Sequence, residues 1–224
     1  MTRKSKAFIA TASILALLGG GSLAAESLIT SRIETRIKSE LPKASGISAS
    51  IPLIDLIQSL FADSIKSAKF NIDSYPLNGG TTESSIAITA KNISKSKPTI
   101  IGSLEVISTI PAATILQSVE FSDAQIVGNT LQVSAGPGGL GKAILVPKFS
   151  GNQIYFELKA ISLFGNEIPA SSLPADAQSQ IKSKSVREVN VPSGMKLISV
   201  TLNPQGLSVI LRGTSIQLGK LGAL

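Results

Sequence analysis

Apolar and polar residues alternate with period two along much of the chain. Ile86, Ile88 and Ala90 share one parity, as do Leu104 and Val106, while Ile154, Phe156 and Leu158 interleave with Tyr155, Glu157 and Lys159. Further on, Ile198, Val200 and Leu202 alternate with Ser199 and Thr201, and Leu207, Val209 and Leu211 with Ser208 and Arg212. Successive side chains of a strand point to opposite faces, so this pattern predicts antiparallel strands with one buried and one wet face. Gly128-Asn129 and Gly151-Asn152 are two-residue hairpin signals between apolar strands. Asn203-Pro204-Gln205-Gly206 places Pro and Gly where a type I turn uses them. The spacing predicts roughly eight to ten strands.

A second period appears near the N-terminus. Between Glu26 and Leu41, Ile29, Ile33, Ile37 and Leu41 recur every fourth position, and Glu34 and Lys38 form a favourable pair on the intervening face. Pro42 ends the pattern, which predicts one amphipathic helix. A weak internal repeat aligns Ile51-Pro52-Leu53-Ile54 and its continuation to Leu60 with Ile110-Pro111-Ala112-Ala113 and its continuation to Val119. In each, a strand-like stretch meets a proline suited to a helix's first turn. A looser third version starts at Ile168-Pro169 and runs to Ile181. Strands with a few amphipathic helices predict an α+β class, a strongly curved antiparallel sheet packed around those helices. An apolar groove can lie between such helices and the sheet.

The composition narrows the chemistry. The 224 residues include no Cys, His or Trp. A Ser-His-Asp triad, a thiol nucleophile and a zinc or copper site of the usual ligand types are therefore excluded, and no cofactor is implied. Hydrophobic residues make up 43% and charged residues 16%, with aromatics at 4%, so the core is aliphatic. Arg3, Lys4 and Lys6 precede an apolar run from Ala7 to Leu18, and Ser22-Leu23-Ala24 supplies small residues at a cleavage site. This is the layout of a secretory signal over residues 1–24, with a single domain over 25–224. The apolar run is short of the roughly 20 residues a membrane span needs; an uncleaved anchor is the rival reading. Loss of the leader lowers 21 basic residues to 18 against 14 acidic, so the net charge falls from +7 to +4. The cations are dispersed and stacking aromatics are few, which argues against nucleic acid and for mild contact with anionic lipid head groups. Export without cysteine means that no disulfide staples the fold.

Two apparent motifs are weak signals of chemistry. Gly136-Pro137-Gly138-Gly139-Leu140-Gly141-Lys142 opens like a phosphate-binding loop, but Ala143 stands where Ser or Thr must hold magnesium, and a strand rather than a helix follows. Glu120 and Asp123 are close in sequence without a second acidic cluster, and no calcium-loop spacing occurs, so no metal is expected.

Ala25-Glu26-Ser27 opens the first helix, and Ile47-Ser48-Ala49-Ser50-Ile51-Pro52-Leu53-Ile54 forms a strand ending in proline and a greasy helix start. Val191-Pro192-Ser193-Gly194-Met195-Lys196-Leu197 leads into Asn203-Pro204-Gln205-Gly206-Leu207-Ser208-Val209. With these features the chain, over roughly Ala25 to Leu218, resembles the LmeA-like phospholipid-binding family of actinobacterial envelope proteins. The resemblance implies an exported, non-enzymatic protein with a tubular or sandwich-like lipid-binding fold, acting in envelope lipid or lipoglycan metabolism. The lipid-binding expectation falls on Leu53, Leu56, Ile57, Leu60, Phe61, Ile115, Leu116 and Val119, with a phospholipid or glycolipid as partner. The same side chains serve equally as core. The competing class is a secreted β-rich scaffold that meets another envelope protein through an apolar patch.

Overall fold

The alternating segments become twelve strands in a computed structural model, which describes residues 43–52, 62–77, 82–96, 98–118 and 123–217 together with Glu34, Thr35, Lys38 and Asp55. One sheet contains β1 (Ser45–Ser50), β2 (Ser64–Leu77), β3 (Thr82–Ser94), β4 (Ile100–Pro111), β11 (Met195–Asn203) and β12 (Gly206–Gln217), in the order β1-β2-β3-β4-β12-β11. The other contains β5 (Gln125–Val127), β6 (Thr130–Ala135), β7 (Gly141–Ser150), β8 (Gln153–Leu163), β9 (Asn166–Pro169) and β10 (Arg187–Glu188). Its order is β10-β8-β7-β6-β5, with β9 also paired to β8. Helices α1 (Ala112–Ser118) and α2 (Ala175–Ser185) lie among the described residues.

The chain gathers into two compact units. The first is Met1–Ser108, Asn190–Ile198 and Ile210–Leu224; the second is Thr109–Val189 and Ser199–Val209. In the first, the register of β2 on β3 sets buried side chains directly opposite one another: Ala68 faces Ala90, Phe70 faces Ile88 and Ile72 faces Ile86. Cross-strand pairs of this kind stabilise a sheet much as i,i+4 pairs stabilise a helix. Two polar contacts tie helical residues to this sheet. The Ala49 N–H on edge strand β1 donates to Glu34 Oε1 at 3.2 Å, and Ser67 Oγ donates to Asp55 Oδ2 at 2.9 Å. In the second unit Leu131 faces Leu145 and Val133 faces Ala143, again buried against buried.

The class is mostly β, which corrects the α+β expectation. Among the described residues the helices α1 and α2 span only 7 and 11 residues, short of the roughly 12 to 15 at which a helix begins to hold by itself. Strands β2, β3 and β4 instead run for 14, 13 and 12 residues, carrying period two through segments in which Ile recurs. The aligned Ile110-Pro111 junction is real in outline: β4 runs through Pro111 and α1 begins at Ala112. The third version breaks at Pro169 into a turn of 3-10 helix, Ala170–Ser172, before α2. The leader over 1–24 lies outside the described residues, as does most of the predicted helix over 26–41, of which Glu34, Thr35 and Lys38 are helical.

Strand parity also differs at one place. Ile198 was expected to share a face with Val200 and Leu202, yet it is 43% exposed while Leu197 is buried. The buried parity changes from Met195 and Leu197 to Val200 and Leu202 across Ile198–Ser199, where the chain passes from one unit to the other.

Candidate functional site

The predicted hairpins set the geometry of the second unit. Gly151-Asn152 closes the β7–β8 hairpin, with Gly151 at φ +55°. From that turn the pairing runs Ser150 to Gln153, Lys148 to Tyr155, Pro147 to Phe156 and Val146 to Glu157. Gly128-Asn129 closes β5–β6 in the same way, with Val127 opposite Thr130 and the buried Thr130 hydroxyl donating to the Val127 carbonyl at 2.8 Å.

Pro147 inside β7 lacks the N–H a ladder needs. The contacts of its partner Phe156 explain how the strand accommodates it. The Phe156 N–H donates to Ser185 Oγ at 2.9 Å, and the Ser185 hydroxyl donates to the Phe156 carbonyl at 3.2 Å. Both backbone groups of Phe156 therefore point away from β7. Pro147 and Phe156 form a non-hydrogen-bonded pair, and no ladder bond is lost. The serine hydroxyl also fills the stretch of β8's outer edge between β10 at Gln153–Ile154 and β9 at Ala160–Leu163. Helix α2 is held there by Lys182, whose Nζ lies 4.5 Å from the centroid of the Tyr155 ring.

Two pairs further along, the register slips. Leu145 pairs with Leu158 and Ile144 with Ala160, which leaves Lys159 without a cross-strand partner at a bulge. The bulge, the proline and the β5–β6 turn line a groove of about 440 Å³, within the roughly 300–1,000 Å³ of small-molecule clefts. Val146, Pro147 and Leu158 contribute from β7 and β8, and Val200, Thr201 and Leu202 from β11; Asn129, Lys148, Glu157 and Lys159 complete the lining. Leu158, Val200 and Leu202 are buried, whereas Lys148, Glu157, Lys159 and Asn129 are exposed. The result is an aliphatic floor beneath a rim of two ammonium groups and one carboxylate.

The opposite wall, β11, is fixed by the turn at 203–206. The Gln205 and Gly206 N–H groups donate to Asn203 Oδ1 at 2.9 and 3.1 Å, and the Ala112 N–H at the start of α1 donates to the Gln205 carbonyl at 3.0 Å. Gly206 sits at φ +148°, and a Cβ there would lie 2.9 Å from the Ile110 carbonyl carbon and 3.0 Å from Pro111 Cα. Only glycine fits so near that backbone.

Of the residues expected to bind lipid, Leu53, Leu56, Ile57, Leu60, Phe61 and Val119 lie outside the described residues. Ile115 is buried and Leu116 half-buried on α1, and neither lines the groove. The groove residues were missed because Lys148 and Lys159 read as solvated lysines on strand faces. The glycine-rich segment is a connection between strands: Pro137–Gly139 is one turn of 3-10 helix, and Lys142 is the second residue of β7. Asp123 accepts a hydrogen bond from the Ser134 hydroxyl, which holds its carboxyl below the ordinary carboxylate value. Among the described residues no cluster of acidic side chains could hold a metal ion, and no helix is long and apolar enough to cross a membrane. No family model, curated protein or solved structure matches this chain.

Proposed function

We propose that this chain is an exported, non-enzymatic lipid-binding protein of the cell envelope, and that an amphiphile lies in the groove of the second unit. The observation that carries the reading is the groove's division into a floor of Val146, Pro147, Leu158, Val200 and Leu202 and a rim bearing Lys148 and Lys159. Each methylene of an acyl chain laid on that floor contributes about 0.8 kcal/mol, so a segment of some eight methylenes contributes about 6 kcal/mol. Two ammonium groups and the Glu157 carboxylate leave one net positive charge at the rim. A lysine meets phosphate as a point charge, so a phosphodiester head group suits this balance. The similarity of the N-terminal strand and the closing hairpin to LmeA-like proteins supports the same reading, as does the leader-like N-terminus. Envelope phospholipid or glycolipid is the ligand class.

Lipid extraction and mass spectrometry of the purified chain, before and after incubation with phospholipid, test this reading. Bound phospholipid is expected, with retention reduced about tenfold or more in the double variant Lys148→Glu/Lys159→Glu. Protein that emerges lipid-free and retains no added phospholipid overturns the proposal.

A further inference from the structure

The end of the second sheet remote from the Gly151-Asn152 turn presents two apolar side chains to solvent. Gly141 pairs with both Ala135 and Leu163, and Leu163 also pairs with Asn166, so the β6–β7 connection and the β8–β9 turn flank the same end of the ladder. Leu140, one residue before the paired Gly141, is 64% exposed; Phe164, one residue after the paired Leu163, is 83% exposed. A Cβ built at Gly136, Gly138 or Gly165 meets no described atom within 4 Å.

Phe164 has φ +50° and Gly165 +84°. A left-handed backbone favours Gly, Asn or Asp, and a bulky residue there is a genuine outlier. The chain holds an aromatic side chain in an unfavourable conformation at the most exposed point of a turn. Burial within the protein does not explain its retention there, and strain of this kind points to use.

We infer that the paired tips at Leu140 and Phe164 insert into the head-group and acyl-chain boundary of a phospholipid bilayer. The inference rests on the lipid-binding reading for its purpose, since a lipid carrier must meet a membrane, but its evidence is separate from the groove. Two observations favour a bilayer over a protein partner. One aromatic and one aliphatic side chain expose at most about 400 Å², roughly half of the 800 Å² per partner that a standard protein interface buries. The segments 136–141 and 160–166 also contain no charged residue, so the tips can enter apolar surroundings without desolvating a charge. Immediately behind them lie Lys142, Glu167 and Asp123, the last bonded to Ser134 and acting on Lys142. One cation against two anions gives no electrostatic pull toward anionic lipid. Attachment through the tips is therefore apolar and insensitive to salt, and it proceeds on phosphatidylcholine.

The chain has no Trp, so Phe164→Trp creates a sole indole reporter. On addition of phosphatidylcholine vesicles its emission shifts to the blue and is quenched by brominated acyl chains, equally at low and high salt. Emission that stays that of a solvated indole at saturating lipid overturns the inference. In flotation assays Phe164→Asn, which suits the left-handed backbone and so keeps the fold, together with Leu140→Ser binds vesicles about tenfold or more weakly than the parent. Equal flotation of the two also overturns it. Phospholipid retained after extraction scores the groove independently. Retention with unaltered flotation rejects only the tips, and loss of retention with tip-dependent flotation rejects only the groove.

Discussion

Gly206 offers a quantitative test of how β11 is positioned against the groove. Replacement by Ala places a methyl where the backbone of Ile110 and Pro111 already stands, at a φ of +148°. That backbone region is essentially restricted to glycine and costs other residues about 1–3 kcal/mol. Accommodating the added carbon against rigid main chain adds a similar amount, so the total is about 4 kcal/mol. Gly151→Ala supplies the control. Its φ is +55°, yet no atom of the described residues beyond its chain neighbours lies within 4 Å of the new carbon, so only the conformational cost of about 1 kcal/mol remains. In urea denaturation followed by circular dichroism, with a slope of about 2 kcal/mol/M, the midpoint falls by about 2 M for Gly206→Ala and about 0.5 M for Gly151→Ala. Displacement of the turn at 203–206 also removes the Gln205 carbonyl from the Ala112 N–H and disturbs Val200–Leu202. Equal midpoint shifts in the two variants would refute the close approach of β12 to β4 on which this reasoning depends.

Two further outcomes follow from the packing and the charges. Phe70, 1% exposed and paired with Ile88, should cost about 3–5 kcal/mol on replacement by Ala, read as a lowered denaturation midpoint; a loss below about 1 kcal/mol would contradict its place in the core. The Asp123 carboxyl titrates below its ordinary 3.8 because Ser134 donates to it, so its ionised form favours the folded state. That contribution is complete above pH 3.8 and is lost as the pH falls through the lower folded-state value. Ser134→Ala should return the carboxyl titration, followed by carbon-13 NMR, toward 3.8; an unmoved titration would count against the hydrogen bond.

Much of the β structure is legible in the sequence, because period two is a local property. Ile86, Ile88 and Ala90 are buried together, and both Gly-Asn turns close hairpins at the expected residues. The class is not legible at the Ile110-Pro111 junction, because a proline at a strand end does not fix how far the following helix runs. Proline at a strand end promised amphipathic helices, but β4 runs through Pro111 and leaves α1 only seven residues. The β7 and β8 walls of the groove were half-readable: counting outward from Gly151-Asn152 brings Val146–Lys148 beside Tyr155–Glu157. The bulge at Lys159 shifts that count, and Val200–Leu202 reach the groove from about 40 residues further along the chain, a non-local approach that no local pattern encodes. Nothing in the alternation marks the positive φ of the exposed Phe164 either.

Photo-crosslinking with a phospholipid carrying a diazirine on its acyl chain tests the central claim most directly. The account predicts that labelled peptides map to Val146–Lys148, Glu157–Lys159 and Val200–Leu202, and that unlabelled phospholipid competes for them. Labelling spread evenly over the surface, or absent from all three segments, would contradict it.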